Sequence, residues 1–299
     1  MTGQPRRHDR AALQRTLLHR GGMPGGWGNL GLWAGPGPGG HTAAVTHSHA
    51  GQTDYATACR ALALAVGQAA GLQRGDRVLS LACGAGDELL LWDSRFGAAS
   101  VLGVEIDPAA ARLAQARTAG RTGIQVLCGS ALALDHLPRH HGPFDAIVCV
   151  DAAYHLAPRA AWLAAAWRHL RPGGRIAYCD LVLQPTAGAG RLGPPLLRAA
   201  ARLCGVPAPD LLPLPQQLER LRAMGFLQVQ AQALDDAVLG GFQRFVQRQA
   251  AAQGLRPWQA GWRAVATTAA LIPPCRAAGL GYALLSATRP GTSGAATGG

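Results

Sequence analysis

The chain has 299 residues, of which 48% are hydrophobic and 15% charged, and its formal net charge at pH 7 is +12. This length is enough for a sizeable core, in one domain or in a main domain with a smaller annex. The mean hydropathy is +0.08, and no apolar run approaches the roughly 20 residues that a membrane-spanning helix needs. The N-terminal stretch is too short and too often charged to be a secretory signal, so we expect a cytoplasmic protein without a membrane span.

The positive charge alone would suggest a nucleic-acid partner, because basic surfaces neutralise phosphates. All 28 basic residues are arginine, however, and they are dispersed along the chain. Scattered charge is typical of a solvated surface. We therefore expect no nucleic-acid partner, and the sequence leaves a homodimer open.

The first half of the chain alternates between helical and extended patterns. Residues 1–50 are rich in Gly, Pro and His, which predicts a flexible N-terminal arm or lid with one short helix near 10–19. A helix over 53–70 opens the core, which we place at 51–183. The predicted strands are 77–82, 101–106, 124–129, 145–150 and 175–183, and the helices between them are 88–96, 108–119 and 159–170. This order indicates right-handed βαβ units.

After residue 183 the regular alternation of strands and helices ends, because Gly and Pro interrupt every long element. We expect a helical cap over 184–275 that contains a sixth strand at 227–234, and helices near 195–203, 215–224, 242–253 and 258–269. Residues 276–290 contain the final core strand, and 291–299 predict a disordered tail. The predicted fold is α/β and Rossmann-like: a seven-stranded, mostly parallel sheet with helices on both faces, a final antiparallel strand and a helical cap insertion.

A glycine-spaced turn, Cys83-Gly84-Ala85-Gly86, directly follows the first strand. Backbone N–H groups at such a turn and helix start favour an anionic group or the close passage of a nucleoside. Glu105 ends the second strand about 20 residues later, where a carboxylate accepts hydrogen bonds from ribose hydroxyls. Position 89 holds Leu89 instead of the third glycine of a dinucleotide fingerprint, which disfavours nicotinamide or flavin binding.

Four motifs occur in order: ACGAG at 82–86, Glu105 in GVEIDP, FDAIVCVDAAYHL at 144–156, and LRPGGRIAYCDLVL at 170–183. With them the chain resembles the class I S-adenosylmethionine-dependent methyltransferase family, and within it the enzymes that methylate sterols, tocopherols and other natural products. The resemblance implies S-adenosyl-L-methionine as cofactor and methyl transfer to a carbon or oxygen of a small, largely hydrophobic metabolite. The cofactor residues that it implies are Ala82, Cys83, Gly84, Ala85, Gly86, Glu105, Ile106, Ser130, Ala131, Asp151 and Trp33.

The sequence departs from the family pattern at three positions. Ser80 stands where the first strand commonly carries an acid, Ala82 replaces the usual first glycine, and Ser130 replaces the acid beside adenine. These changes weaken the expected cofactor contacts, so a non-catalytic binding protein on this fold stays an alternative. A nucleic-acid methyltransferase is a further alternative, although DAAYH follows the fourth strand instead of an Asn/Asp-Pro-Pro-Tyr signature.

Tyr154 and His155 follow the fourth strand, and Asp180 lies towards the end of the fifth. Both places belong to the carboxyl edge of the sheet, where open α/β sheets bind their ligands. By resemblance we expect His155 as the general base, with Tyr154 or Asp180 orienting it. Simple packing or capping roles are the alternative for all three. Trp33, together with Trp27, is expected either to close over the cofactor or to pack as an ordinary aromatic.

The cap contributes apolar residues that could line an acceptor pocket: Leu192, Leu196, Leu197, Phe242, Phe245, Trp258 and Trp262. Arg191, Arg198 and Arg202 either pair with an acidic group of the acceptor or are solvated. No metal is expected, because no cysteine or acid completes a ligand set around His47, His49, His136, His140 and His141. The seven cysteines are dispersed without a CxxC pair, which indicates reduced thiols.

Overall fold

A computed structural model of the chain describes residues 26–33, 54–136, 141–184, 193–204, 206, 210–259 and 262–291. Within these ranges seven strands form a single sheet in the order β3-β2-β1-β4-β5-β7-β6. The first five strands are parallel, and β7 runs antiparallel to both β5 and β6. The predicted fold class is confirmed. The strands are β1 Arg77–Leu81, β2 Ser100–Glu105, β3 Ile124–Cys128, β4 Phe144–Cys149, β5 Leu170–Leu183, β6 Leu227–Ala233 and β7 Leu280–Thr288.

Eight α-helices accompany the sheet in the described ranges: α1 Tyr55–Ala69, α2 Asp87–Phe96, α3 Pro108–Thr118, α4 Arg159–His169, α5 Gly193–Cys204, α6 Leu214–Ala223, α7 Gly241–Gln253 and α8 Arg263–Ala277. Local sequence signals explain where several of these helices begin or end. The Asp107 carboxylate accepts hydrogen bonds from the amides of Ala109 and Ala110, and Pro108 suits the first helical turn. Gly97, in the left-handed conformation, ends α2.

The last helix differs most from its predicted bounds of 258–269. It begins at Arg263 and continues through Pro273 and Pro274 to Ala277. A proline removes a helical hydrogen bond and was therefore expected to lie outside the helix. Ile272 and Cys275 extend the buried face of α8 on either side of the prolines, so packing outweighs local propensity here.

Part of the predicted flexible arm is packed on the core. In residues 26–33, the amide of Leu32 donates to the carbonyl of Ala58 on α1 (2.8 Å), and the amide of Trp33 donates to Ala237 (2.9 Å). In this stretch Asn29, Leu32 and Trp33 are buried, so their side chains pack on the core. The predicted helix near 10–19, most of the 184–192 stretch and most of the tail lie outside the described residues.

Hydrophobic clusters cover both faces of the sheet. One contains the buried side of α1 and α2 together with α7 and α8, and the other contains α4 and α6. The strand order reverses between β1 and β4, because their crossovers leave in opposite directions, and this opens a crevice at the carboxyl ends of the strands. The described part of the chain has no helix that is both long and apolar enough to cross a bilayer.

Candidate cofactor and acceptor site

The glycine loop (residues 82–86) lies at this crevice. The amide of Cys83 donates to the carbonyl of Val104 (3.2 Å), which holds the loop against β2. Ala82, Gly84 and Gly86 all have positive φ, at 55°, 55° and 85°. A Cβ on Gly86 would lie 3.0 Å from the Cβ of Ala114, whereas nothing lies within 4 Å of a Cβ placed on Gly84. The loop is therefore packed against α3 at Gly86 and faces open space at Gly84.

Glu105 lies directly against this loop. Its Oε2 accepts a hydrogen bond from the amide of Gly84 (2.8 Å), and its Oε1 accepts one from the amide of Asp107 (2.9 Å). The carboxylate is buried to 5% exposure and is fixed in one orientation. The structure thus brings together the two motifs that the sequence separates by 20 residues.

An apolar edge continues from Glu105. Ile106 is 55% exposed and Leu132, after β3, is 41% exposed, although both are large aliphatic residues. Between them the hydroxyl of Ser130 accepts a hydrogen bond from the amide of Leu132 (3.2 Å), and Ala131 is buried beneath. This arrangement fits a nucleoside. The Glu105 carboxylate can bind the ribose hydroxyls, the exposed aliphatic side chains can contact a planar base, and the loop leaves room at Gly84.

Ser80, the strand position without the usual acid, is hydrogen-bonded to an acid of the following helix. The hydroxyl of Ser80 donates to Oε1 of Glu88 (2.5 Å), and Nε1 of Trp92 donates to the same hydroxyl (3.2 Å). Burial raises the pKa of Glu88 to about 8, against the lowering effect of the Ser80 hydrogen bond. Glu88 was not among the predicted site residues. Its position in the first turn after the glycine loop was the available signal.

Asp151 is a hydrogen-bond hub at the end of β4. Its Oδ1 accepts from the hydroxyls of Tyr154 (2.9 Å) and Tyr282 (2.6 Å), and its Oδ2 accepts from the amide of Leu30 (2.6 Å). Asp151 itself has positive φ, at 55°. Burial raises the pKa of this carboxyl to about 6, partly offset by its three donors. Tyr282, on β7, had no local signal in the sequence.

The 26–33 segment runs across the site. At one end a Cβ on Gly26 would lie 2.5 Å from the Cβ of Ala85 in the glycine loop, and in the middle Leu30 binds Asp151. Trp33, predicted at the cofactor, lies at the other end, is 4% exposed and stacks on Phe245 of α7 with ring centroids 4.7 Å apart. This contact favours the packing alternative for Trp33, and the backbone of Gly26 and Leu30 reaches the site instead.

Tyr154 and His155 form a short 3-10 turn, Ala153–His155. Their rings lie 4.5 Å apart, with Tyr154 buried and His155 exposed. The Tyr154 hydroxyl is directed to Asp151. The turn thus presents an imidazole at the carboxyl edge of the sheet, adjacent to a buried carboxylate and phenol.

Asp180 has a different environment. Its Oδ1 pairs with Nη2 of Arg159 at 2.8 Å, and neither side chain is exposed. Burial raises the pKa of Asp180, while the nearby Arg159 guanidinium lowers it and favours the charged form. Asp180 is fully buried against Arg159, and this favours its structural alternative. Arg159 was absent from the predicted site and had no motif to mark it.

The cap residues divide into two groups. Phe242, Phe245 and Trp262 are buried in the core with Trp33, whereas Trp258 is 72% exposed. Leu197 is buried, and Arg198 and Arg202 are exposed.

Several predicted residues lie outside the described residues: Arg191, Leu192, His47, His49 and His140. In the described ranges, no three His, Cys, Asp or Glu side chains gather as a metal site would require.

Comparison with known proteins agrees with this geometry. Residues 78–174 match a family described as "Methyltransferase domain". The chain is 30% identical over 185 residues to erythromycin 3''-O-methyltransferase of Saccharopolyspora erythraea, a match that covers 60% of this chain and 59% of that protein. The chain thus spans about three-fifths of the length of this curated relative.

Two solved structures share the fold along most of the chain. A putative sarcosine dimethylglycine methyltransferase from Galdieria sulphuraria superposes with a TM-score of 0.72 at 18% identity, covering 93% of this chain and 98% of that one. The [4+2]-cyclase SpnF superposes with a TM-score of 0.66 at 20% identity, covering 97% and 98%. Residues 78–174 thus match a methyltransferase domain, and most of the chain shares the fold of these two structures.

Proposed function

We propose that the protein binds S-adenosyl-L-methionine at the glycine loop and transfers its methyl group to an oxygen or carbon of a small, largely hydrophobic natural product. The observation that carries the proposal is the contact between Glu105 and Gly84. It joins a buried carboxylate, suited to a ribose diol, to a loop with open space above Gly84. The donor set and the exposed Ile106 fit the nucleoside end of this cofactor.

Held by Glu105 and the glycine loop, S-adenosylmethionine would supply an electrophilic sulfonium methyl group to the acceptor, which would give up a proton in exchange. The protein's tasks are to align the acceptor, exclude water and accept that proton. His155 is the exposed imidazole at the edge, and imidazole takes up protons near neutral pH. We assign it the base role, with the Tyr154 ring packed beside it.

Asp151 serves the site electrostatically. Its buried carboxylate is held by three donors and lies between the 26–33 segment and the Tyr154 turn. A fixed negative charge near a cationic sulfonium favours cofactor binding. The same interactions keep the 26–33 segment closed over the crevice, which excludes water.

The acceptor class follows from the relatives. The name of the Saccharopolyspora erythraea protein specifies O-methylation of erythromycin, which supports a natural-product oxygen as the acceptor atom here. The SpnF neighbour is titled a cyclase, so the fold alone does not establish methyl transfer. A test therefore has to measure cofactor binding and methyl transfer separately.

The first experiment is a calorimetric titration of S-adenosylhomocysteine into the wild type, Glu105→Gln and Glu219→Gln. Glu219 is an exposed glutamate on α6 and serves as the matched control. We expect Glu105→Gln to weaken binding about 10- to 100-fold, because hydrogen bonds to a charged group contribute about 1.5–3 kcal/mol. Equal affinities in all three proteins would reject Glu105 as a cofactor ligand.

The second experiment supplies methyl-labelled cofactor with hydroxylated macrolides as acceptors. Labelled product from the wild type and its loss in His155→Gln, with S-adenosylhomocysteine affinity retained, supports the assigned chemistry. Strong cofactor binding with no label transferred to any acceptor would support the non-catalytic alternative instead.

A further inference from the structure

The turn that carries Tyr154 and His155 has little structure of its own. Within it the amide of His155 donates to Ala152 (3.0 Å) and the amide of Leu156 donates to Ala153 (2.9 Å). A single 3-10 turn is a weak element, because its hydrogen-bond geometry is poor and it is short. Its position must therefore be fixed by contacts from outside the turn.

Arg159 makes two of those contacts, in addition to the hydrogen bond from the Tyr154 hydroxyl to Asp151. Its Nη1 donates to the carbonyl of Ala153, at one end of the turn, and lies 3.5 Å from the carbonyl of Leu156, just beyond the other end. Its Nη2 donates to Asp180 on β5 at 2.8 Å. One planar guanidinium thus joins both ends of the turn to the central sheet, a geometry that the forked donors of arginine allow and a single ammonium does not.

Helix stability does not explain this arginine. Arg159 is the first residue of α4, and a positive charge at a helix N-terminus opposes the helix dipole. The carboxylate that caps this end belongs to Asp210, whose Oδ2 accepts from the amide of Arg159 (2.9 Å). The guanidinium is directed away from the helix, to the turn and to Asp180.

Burial of the ion pair is also a poor source of stability. Both side chains are 0% exposed, and Oδ2 of Asp180 and Nε of Arg159 have no hydrogen-bond partner among the described residues. Desolvating two charges costs about as much as their attraction returns, so well-packed apolar residues are often equally stable in such places. A pair with this cost and this geometry indicates a positional role.

We propose that Arg159, held by Asp180, is a positioning residue that fixes the Tyr154–His155 turn for the acceptor. This inference rests on the proposed function for its kinetic consequence, although the placement of the turn is testable without turnover. Asp180 acts through Arg159 and touches no substrate. Loss of Arg159 should misalign the acceptor with the Tyr154–His155 turn. It should therefore lower kcat and leave the cofactor site at Glu105 intact.

The test compares Arg159→Lys with Arg175→Lys. Arg175 pairs with Asp76 at 2.5 Å at the opposite, amino edge of the sheet and does not contact the turn, so it is a matched control. A double variant, Arg159→Met with Asp180→Leu, removes the pair without leaving a buried unpaired charge. All variants are measured for S-adenosylhomocysteine affinity, for kcat and KM, and for the NMR signals of the His155 ring, assigned with His155→Gln.

We expect Arg159→Lys and the double variant to shift or broaden the His155 signals and to lower kcat about 10- to 100-fold, the cost of small misplacements at a reacting centre. The affinity of these variants for S-adenosylhomocysteine should stay within about threefold of wild type. Arg175→Lys should change neither the His155 signals nor kcat. A folded double variant with unchanged His155 signals would overturn the proposal. If the wild type does not bind the cofactor either, the proposed function fails, and the His155 signals still decide the positioning role.

Discussion

The hydroxyl of Ser80 on β1 donates a 2.5 Å hydrogen bond to the carboxyl of Glu88 on α2. The strand position that lacks the usual acid is thus hydrogen-bonded to an acid of the helix that follows the glycine loop. Because Glu88 is buried, its pKa rises from 4.5 to about 8, and the side chain is mainly protonated at neutral pH. Burying the Glu88 carboxyl beside Ser80 therefore has a cost in stability that depends on pH.

That cost gives a prediction for Glu88→Gln. Between pH 4.5 and 8 the folded protein keeps a proton on Glu88 that the unfolded chain has lost, so the stability contributed by this group falls as pH rises through that window. Glutamine has no such dependence. We expect the melting temperature of Glu88→Gln, relative to wild type, to increase steadily from pH 5 to 8. The measurement is differential scanning calorimetry across this range, and a constant difference would contradict the buried, raised pKa.

Asp151→Asn should release the 26–33 segment. Tyr154 and Tyr282 both donate to Oδ1, so the amide oxygen of asparagine will face them and its N–H₂ will face the amide of Leu30, donor against donor. We expect amide hydrogen exchange at Leu30 to accelerate at least about tenfold, because a hydrogen bond to a charged group is lost. Tyr282→Phe, which keeps the carboxylate, is the control and should leave Leu30 protected. Unchanged exchange in Asp151→Asn would show that other contacts hold the segment.

Ala82 has a left-handed backbone, which disfavours any Cβ by about 1–2 kcal/mol. Glycine in its place relieves that strain and costs about 0.5–1 kcal/mol in unfolded-state entropy. We expect Ala82→Gly to be between neutral and about 1.5 kcal/mol more stable in urea unfolding. Ala85→Gly, three residues later at a buried position without positive φ, should instead lose about 1–2 kcal/mol. Equal losses in both variants would show that the Ala82 conformation carries no strain.

Trp33 and Trp258 differ in burial and should differ in effect. Trp33 is stacked in the core against Phe245, so Trp33→Ala should lower the free energy of unfolding by about 3–5 kcal/mol. Trp258→Ala, at a 72% exposed position, should change it by less than about 0.5 kcal/mol. Chemical denaturation measures both. If Trp33→Ala instead kept its stability and lost affinity for S-adenosylhomocysteine, the lid interpretation of Trp33 would be restored.

Local sequence patterns determined the architecture. Strand and helix periodicities, the glycine loop after β1 and the acid at the end of β2 are properties of short segments, and their order along the chain predicts a parallel sheet with a crevice at its carboxyl edge. Glu105 and the glycine loop could be paired from sequence because the carboxyl ends of neighbouring parallel strands must meet. The helix through Pro273 and Pro274 escaped prediction, because its support comes from tertiary packing.

The partners of the buried polar groups were decided by the tertiary structure alone. Tyr282 reaches Asp151 across 131 residues of chain only because β7 inserts beside β5, and Leu30 reaches the same carboxylate from a glycine-rich segment without periodicity. Asp180 lies at the predicted sheet edge, but the partner of its side chain depends on which helix covers that face of the sheet. That helix is α4, and it supplies Arg159. Local sequence therefore determines which elements form and where their ends meet. The partner of each buried charge depends instead on how the helices and the last strands pack. A desolvated group must be hydrogen-bonded, and it can bond only to the donors that this packing places beside it.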